Sequence, residues 1–187
     1  MAAGVGHCYL QDFLWEESLQ AVKDSLNFNS FTEFHQHLET SLPQNSEYTR
    51  KRYARNVIKW FFPAHSLDNL HTQSWHYYQD ENLLKELMRY QFLSTEPLVA
   101  EFLTGYLLSA EPGATLNSNV LNEFVRSKYG SLNKKVRQRL INTVGQLGFI
   151  QRNKANTIIA QLPPAKTALY LLIHSLFAPT PQVVTME

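Results

Sequence analysis

The chain has 187 residues, with 17 Lys and Arg, 16 Asp and Glu, a formal net charge of +1 and 44% hydrophobic residues. That composition excludes wholesale disorder and fits one domain or two small ones. A single cysteine, Cys8, excludes an intramolecular disulfide and a cysteine-rich zinc site, and no apolar run approaches the ~18–20 residues that cross a bilayer.

The N-terminal "MAAGVGHCYLQDF" lacks the basic and long apolar regions of a signal peptide. The expected address is the cytoplasm, with no membrane partner. From there the periodicity predicts helices. "LQDFLWEESLQAVKDSL" sets Leu10, Phe13, Leu14, Leu19 and Val22 roughly on one face. "SFTEFHQHLETSL" carries a capping box, Ser30 with Glu33, and stops at Pro43. "NSEYTRKRYARNVIKWFFP" is capped by Asn45 or Ser46 and ended by Pro63. Tyr53, Val57, Trp60 and Phe61 share its apolar side, and Lys51, Arg52, Arg55 and Lys59 the opposite one.

Two further helices are predicted before residue 113. One starts at Asp80 or Glu81, with Leu83, Leu84, Leu87 and Met88 inward. The other starts at Glu96-Pro97 and is apolar nearly all round, which predicts a buried central helix. "LNSNVLNEFVRSKYG" then reads as a helix ended by Gly130. "SLNKKVRQRLINTVGQLG" reads as another, with Val136, Leu140, Val144 and Leu147 on one side. Lys134, Gln138 and Asn142 lie opposite, flanked by Lys135 and Arg139. "FIQRNKANTIIAQL" reads as a strand, a turn around 152–155 and a strand from Thr157 to Gln161. "PPAKTALYLLIHSLF" is a last apolar helix.

The charge is unevenly spread. Residues 1–49 hold one base and seven acids, whereas residues 124–187 hold nine bases and one acid, Glu187. Such asymmetry points to an anionic partner for the basic part.

Helix, short break, helix and basic hairpin is the element order of a winged helix-turn-helix, whose second helix enters the DNA major groove. The expected fold is therefore mainly α: an N-terminal helical bundle over 1–94, a winged helix-turn-helix with a small β-hairpin and a C-terminal helix over 95–178, and a loose tail over 179–187. Lys134, Lys135 and Arg139 can reach guanine acceptors or phosphates, and Gln138 and Asn142 can pair with adenine. Arg152 and Lys154 suit a wing on phosphates. Lys51, Arg52, Arg55 and Lys59 make a candidate second phosphate stripe. About six such contacts would give a log-affinity slope of about −5 against log salt.

The segments "TRKRYARNVIKWFF", "ENLLKELMRYQFLSTEPLVAEFL" and "KKVRQRLINTVGQLGFI", spread over roughly residues 10–162, resemble the BrxA-type accessory proteins of BREX phage-defence systems. The resemblance implies a DNA-binding protein with a helical N-terminal part and a winged helix, working in bacterial defence beside other subunits of a defence complex.

No catalytic motif is present: no GxxxxGK[ST], GxGxxG or GxSxG. His35 and His37 stand two apart on a helix and His71 and His76 five apart, both off-register for one metal. No cofactor and no enzymatic activity are expected. A second reading keeps the winged fold but makes the protein an adaptor, its basic surface docking an acidic partner subunit or a second copy. The oligomeric state is open at this stage.

Overall fold

The computed structural model of the protein describes residues 10–153, 156–163 and 165–177. It is mainly helical, with nine α-helices among the described residues and one two-stranded antiparallel sheet. None of these helices is long and apolar enough to cross a membrane. The predicted loose tail lies outside the described residues.

The chain divides into two compact units: residues 16–92 with 163–187, and residues 1–15 with 93–162. This grouping differs from the linear split read from the sequence, because residues 10–15 go with 93–162 and residues 165–177 go with 16–92.

The first unit contains α1 (Trp15–Asp24), α2 (Phe31–Ser41), α3 (Glu47–Phe61), α4 (Leu70–Tyr78), α5 (Glu81–Thr95) and α9 (Lys166–Phe177). Capping residues set the helix starts. The Ser30 hydroxyl accepts from Glu33 N at 3.2 Å, as the capping box predicts, and Ser46 accepts from Thr49 N. Asp80 accepts from the amides of Asn82 and Leu83. Trp60, Phe61, Phe62, Phe34 and Phe92 form an aromatic core, all essentially inaccessible. Phe34 and Phe62 ring centroids lie 4.7 Å apart, and Trp60 meets Phe92 edge-on at 5.4 Å.

Helix α4 was not anticipated. Its apolar pattern is weak, and the buried side chains it supplies are His71, Thr72 and Ser74. The Asn69 cap starts it, and His71 Nε2 bonds the Phe61 carbonyl at 2.6 Å. Burial holds the His71 ring neutral, with its pKa pushed down to about 4. Lys23 of α1 lies 4.8 Å over the Trp75 ring and bonds Glu81 at 2.6 Å. Together with Lys85, Lys23 holds the Glu81 carboxyl down at about 2.

The second unit contains residues 10–15, α6 (Pro97–Phe102), α7 (Ser118–Tyr129), α8 (Lys134–Gln146), β1 (Ile150–Arg152) and β2 (Thr157–Ile159). Residues 10–14 are not helical as expected. Leu10 and Phe13 are buried in this unit instead, tied down by side-chain bonds from α8. Helix α6 runs into a π-helical turn over Leu103–Leu107. Its burial is one-sided: Val99, Phe102, Leu103 and Leu107 face the core, while Leu108 is exposed.

Gly130 ends α7 in the left-handed region at φ 72°, and its amide bonds the Arg126 carbonyl at 2.8 Å. Val136, Leu140, Val144 and Leu147 of α8 are all buried, as their spacing requires. In the hairpin Ile150 pairs with Ile159 and Arg152 with Thr157. Strand β2 is shorter than predicted, and its other edge is taken by the chain before α7: Thr115 bridges Ile158, with amide bonds from Gly113 to the Ile159 carbonyl and from Leu116 to the Thr157 carbonyl, both 2.8 Å.

Candidate nucleic-acid interface

Helix α8 begins at Asn133, whose side chain accepts from the amides of Lys135 and Val136 at 3.1 Å. Lys134 and Lys135 are therefore the first two residues of a 13-residue helix, and both are exposed. No ion pair among the described residues engages either. Two cations at the positive end of a helix dipole are electrostatically unfavourable until an anion joins them.

One turn further on, the side chains are cross-linked. Gln138 Nε2 donates to Asn142 Oδ1 at 2.8 Å, and Arg152 Nη1 of β1 donates to the same oxygen at 3.1 Å. Gln138, Asn142 and Arg152 are all exposed. The row thus joins the outer face of α8 to the hairpin. It also engages the Asn142 oxygen that a paired adenine contact needs, so Asn142 first serves to orient Arg152 rather than to present a free amide.

The hairpin turn closes through Asn153. Its amide donates to the Asn156 carbonyl at 3.0 Å, and its side chain accepts from Asn156 N at 2.6 Å. The Asx bond performs the job that an Asn-Gly turn performs elsewhere. Lys154 lies outside the described residues. A polar hollow of about 650 Å³ opens beside the hairpin, lined by Thr115, Asn117, Ser118, Arg152, Asn153 and Asn156. Reading the sequence did not bring the start of α7 into this site. The Asn117 cap was its only signal.

Arg139 occupies a different place from the one expected. Its side chain is only 12% exposed. Nε and Nη2 grip the two Asp12 carboxylate oxygens, each at 2.8 Å, and Nη1 bonds the Leu10 carbonyl at 2.8 Å. A bidentate, charge-assisted clamp of this kind fixes structure: Arg139 pins residues 10–12 to α8 and is not an outward contact. Trp15 N adds a bond to Gln146 Oε1 at the far end of the helix. Arg137 Nε bonds Asn122 Oδ1 at 2.6 Å and ties α8 to α7. Lys128 pairs with Glu101.

The second basic stripe lies in the other unit, on α3. Lys51 pairs with Glu47 at 2.7 Å, and that hydrogen bond raises the lysine pKa and lowers the carboxyl's. The Arg52 guanidinium lies 4.9 Å over the Tyr53 ring and its Nε is buried. Arg55 is exposed, with a bond from its Nε to the Lys51 carbonyl at 3.4 Å. Arg55 and exposed Lys59 line an open hollow of about 520 Å³ with Phe31, His35, Ile58 and His65. No group of three or more His, Cys, Asp or Glu among the described residues could hold a metal ion.

Compared with family models, curated proteins and solved structures, the chain matches none.

Proposed function

We propose that the protein is a non-enzymatic DNA-binding protein whose second unit is a winged helix-turn-helix, with α8 as recognition helix and the β1–β2 hairpin as wing. The observation that carries this reading is the pair Lys134–Lys135: two cations with no ion pair among the described residues, at the positive end of α8, beside a row that leads to Arg152. A phosphate at that point would meet backbone N–H groups, two ammonium ions and the helix dipole together. The order α6, the Thr115 bridge, α7, α8 and hairpin supports the assignment. Strand β2, paired on both sides, holds the wing against the helix pair.

The structure-based contact set is smaller than the sequence-based one. With Arg139 engaged internally, Lys134, Lys135 and Arg152 remain among the described bases, and Lys154, outside them, is kept from the sequence reading. Four phosphate contacts give a log-affinity slope of about −3.6 against log salt. Affinity would have a large electrostatic share, and one recognition helix per chain would give modest sequence preference. Arg55 and Lys59 of α3 remain candidates for a second phosphate contact. The resemblance of its sequence segments to BrxA-type accessory proteins supports a role in phage defence, beside other subunits of a defence complex, and the lone cysteine fits a cytoplasmic setting.

The test is anisotropy of a labelled duplex of about 20 base pairs, titrated at several salt concentrations from about 50 mM upward. A linear slope near −3.6 supports the reading. No binding at the lowest salt, or a flat response, rejects it.

A further inference from the structure

The described length of α9 carries no acid, and its only bases are Lys166 at the start and His174. Its inner side packs Ala168, Leu171 and Leu172 onto Leu83 and Leu87 of α5. Its outer side is also apolar: Leu169 is 53% exposed, Tyr170 68%, Ile173 38%, Leu176 62% and Phe177 38%. At 100° per residue these five fall within an arc of about 120° centred on Ile173. A helix apolar on both sides is a helix buried on both sides, and within its own unit α9 is covered on one.

We propose that this outer face is the docking surface for a second copy of the same chain, two α9 helices crossing antiparallel about a two-fold axis at Ile173. The spacing of the five residues is self-complementary. Positions 169, 170, 173, 176 and 177 form a palindrome about 173, so a two-fold there sets Leu169 against Phe177, Tyr170 against Leu176, and Ile173 against itself. Such spacing, which the helical period gives to any two-turn stripe, permits an isologous interface.

Charge selects the orientation. In a parallel pair the two Lys166 side chains would be neighbours. In the antiparallel pair they stand ~21 Å apart along the axis, beyond the ~8–10 Å over which salt screens them. The area is adequate but small. Taking ~150–250 Å² for an aromatic side chain and somewhat less for an aliphatic one, the exposed fractions amount to roughly 500 Å² per copy. Two copies then bury at most roughly 1,000 Å², the lower limit of a specific interface. The dimer is accordingly a weak one.

The experiment needs no nucleic acid, so its outcome is separate from that of the DNA reading. The full chain is examined by sedimentation velocity from about 1 to 100 μM, a range that spans micromolar dissociation constants. A concentration-dependent monomer–dimer equilibrium is expected. Ile173→Asp, a change at a partly exposed position, is expected to raise the dissociation constant at least about tenfold and, at concentrations where both chains are monomeric, to leave the thermal unfolding midpoint in place. In a Cys8→Ser background, Ile173→Cys is expected to form a disulfide-linked dimer on oxidation, whereas Lys166→Cys is not, because its two copies are too far apart. A monomer at the highest concentration overturns the proposal. So does a dimer indifferent to Ile173→Asp, or a Lys166→Cys dimer that forms as readily as the Ile173→Cys one. A chain that dimerises only after deletion of residues 178–187 also overturns it, and assigns the face to the chain's own last segment.

Discussion

Helix α3 carries five bases over 15 residues and α8 carries four over 13, yet the two sets are used differently. In α3 the first turn contains Glu47, which takes up Lys51. Arg50 reaches back to the carbonyls of Glu39 and Gln44 and closes the end of α2. Arg52 lies over Tyr53. In α8 the division follows depth. The largely covered Arg137 and Arg139 hold α7 and residues 10–12, and the two exposed lysines of the first turn meet no acid among the described residues. The lesson is that a basic stripe on a helical wheel does not specify a ligand. The cations that matter are those left over once caps, clamps and neighbouring carboxylates have been satisfied.

The largest expected effect concerns what anchors α3. The buried His71 bonds the carbonyl of Phe61, the last residue of that helix. Its folded-state pKa is depressed from 6.5 to about 4, so the unfolded chain binds a proton more readily. Stability is therefore full above pH 6.5 and falls as pH drops toward 4. Between pH 7 and 4.5 this one group accounts for about 2 to 3 kcal/mol. Urea unfolding at the two pH values measures it, and His71→Gln, which can donate to the same carbonyl but does not titrate, should flatten the slope. An unchanged slope would detach α3 from His71.

Next in size is the direct comparison of the two helices. Lys134→Ala with Lys135→Ala should weaken duplex binding by about 30- to 100-fold at low salt and reduce the salt slope by about 2. Arg55→Ala with Lys59→Ala should cost less. Equal losses would make the stripes equivalent, and a larger loss on α3 would reverse the assignment.

Arg139→Ala separates clamp from contact. Losing the bidentate pair with Asp12 should cost about 2 kcal/mol of stability and leave the salt slope as it was. A slope that falls by about 1 without loss of stability would make Arg139 a phosphate ligand after all.

The smallest effect is expected at Lys51→Ala. An exposed pair on one helix contributes little, so the melting midpoint should not move and DNA affinity should stay within about twofold. A larger drop in affinity would show that the pairing with Glu47 yields to phosphate.

Local pattern was enough for most helices. The Ser30, Ser46 and Asn133 caps and the Gly130 stop depend on contacts within four residues, and the stripe Val136–Leu140–Val144–Leu147 depends only on helical period. Those features could be read directly from the chain. The proposed site was half legible by the same means: spacing put Lys134, Gln138 and Asn142 on one row. Three things needed the folded molecule. Helix α4 is built around buried polar groups, and its reason to exist, the bond from His71 to Phe61, spans ten residues. The true role of Arg139 depends on Asp12, 127 positions away. The exposed outer face of α9 is visible only once its inner face has found α5, because a helix apolar all round looks the same in sequence whether one side or both are covered. Sequence by itself determined where helices start, stop and turn their apolar side, since that chemistry is local. Tertiary structure alone decided which charges and which apolar faces are left over, since each is a remainder after distant partners have met.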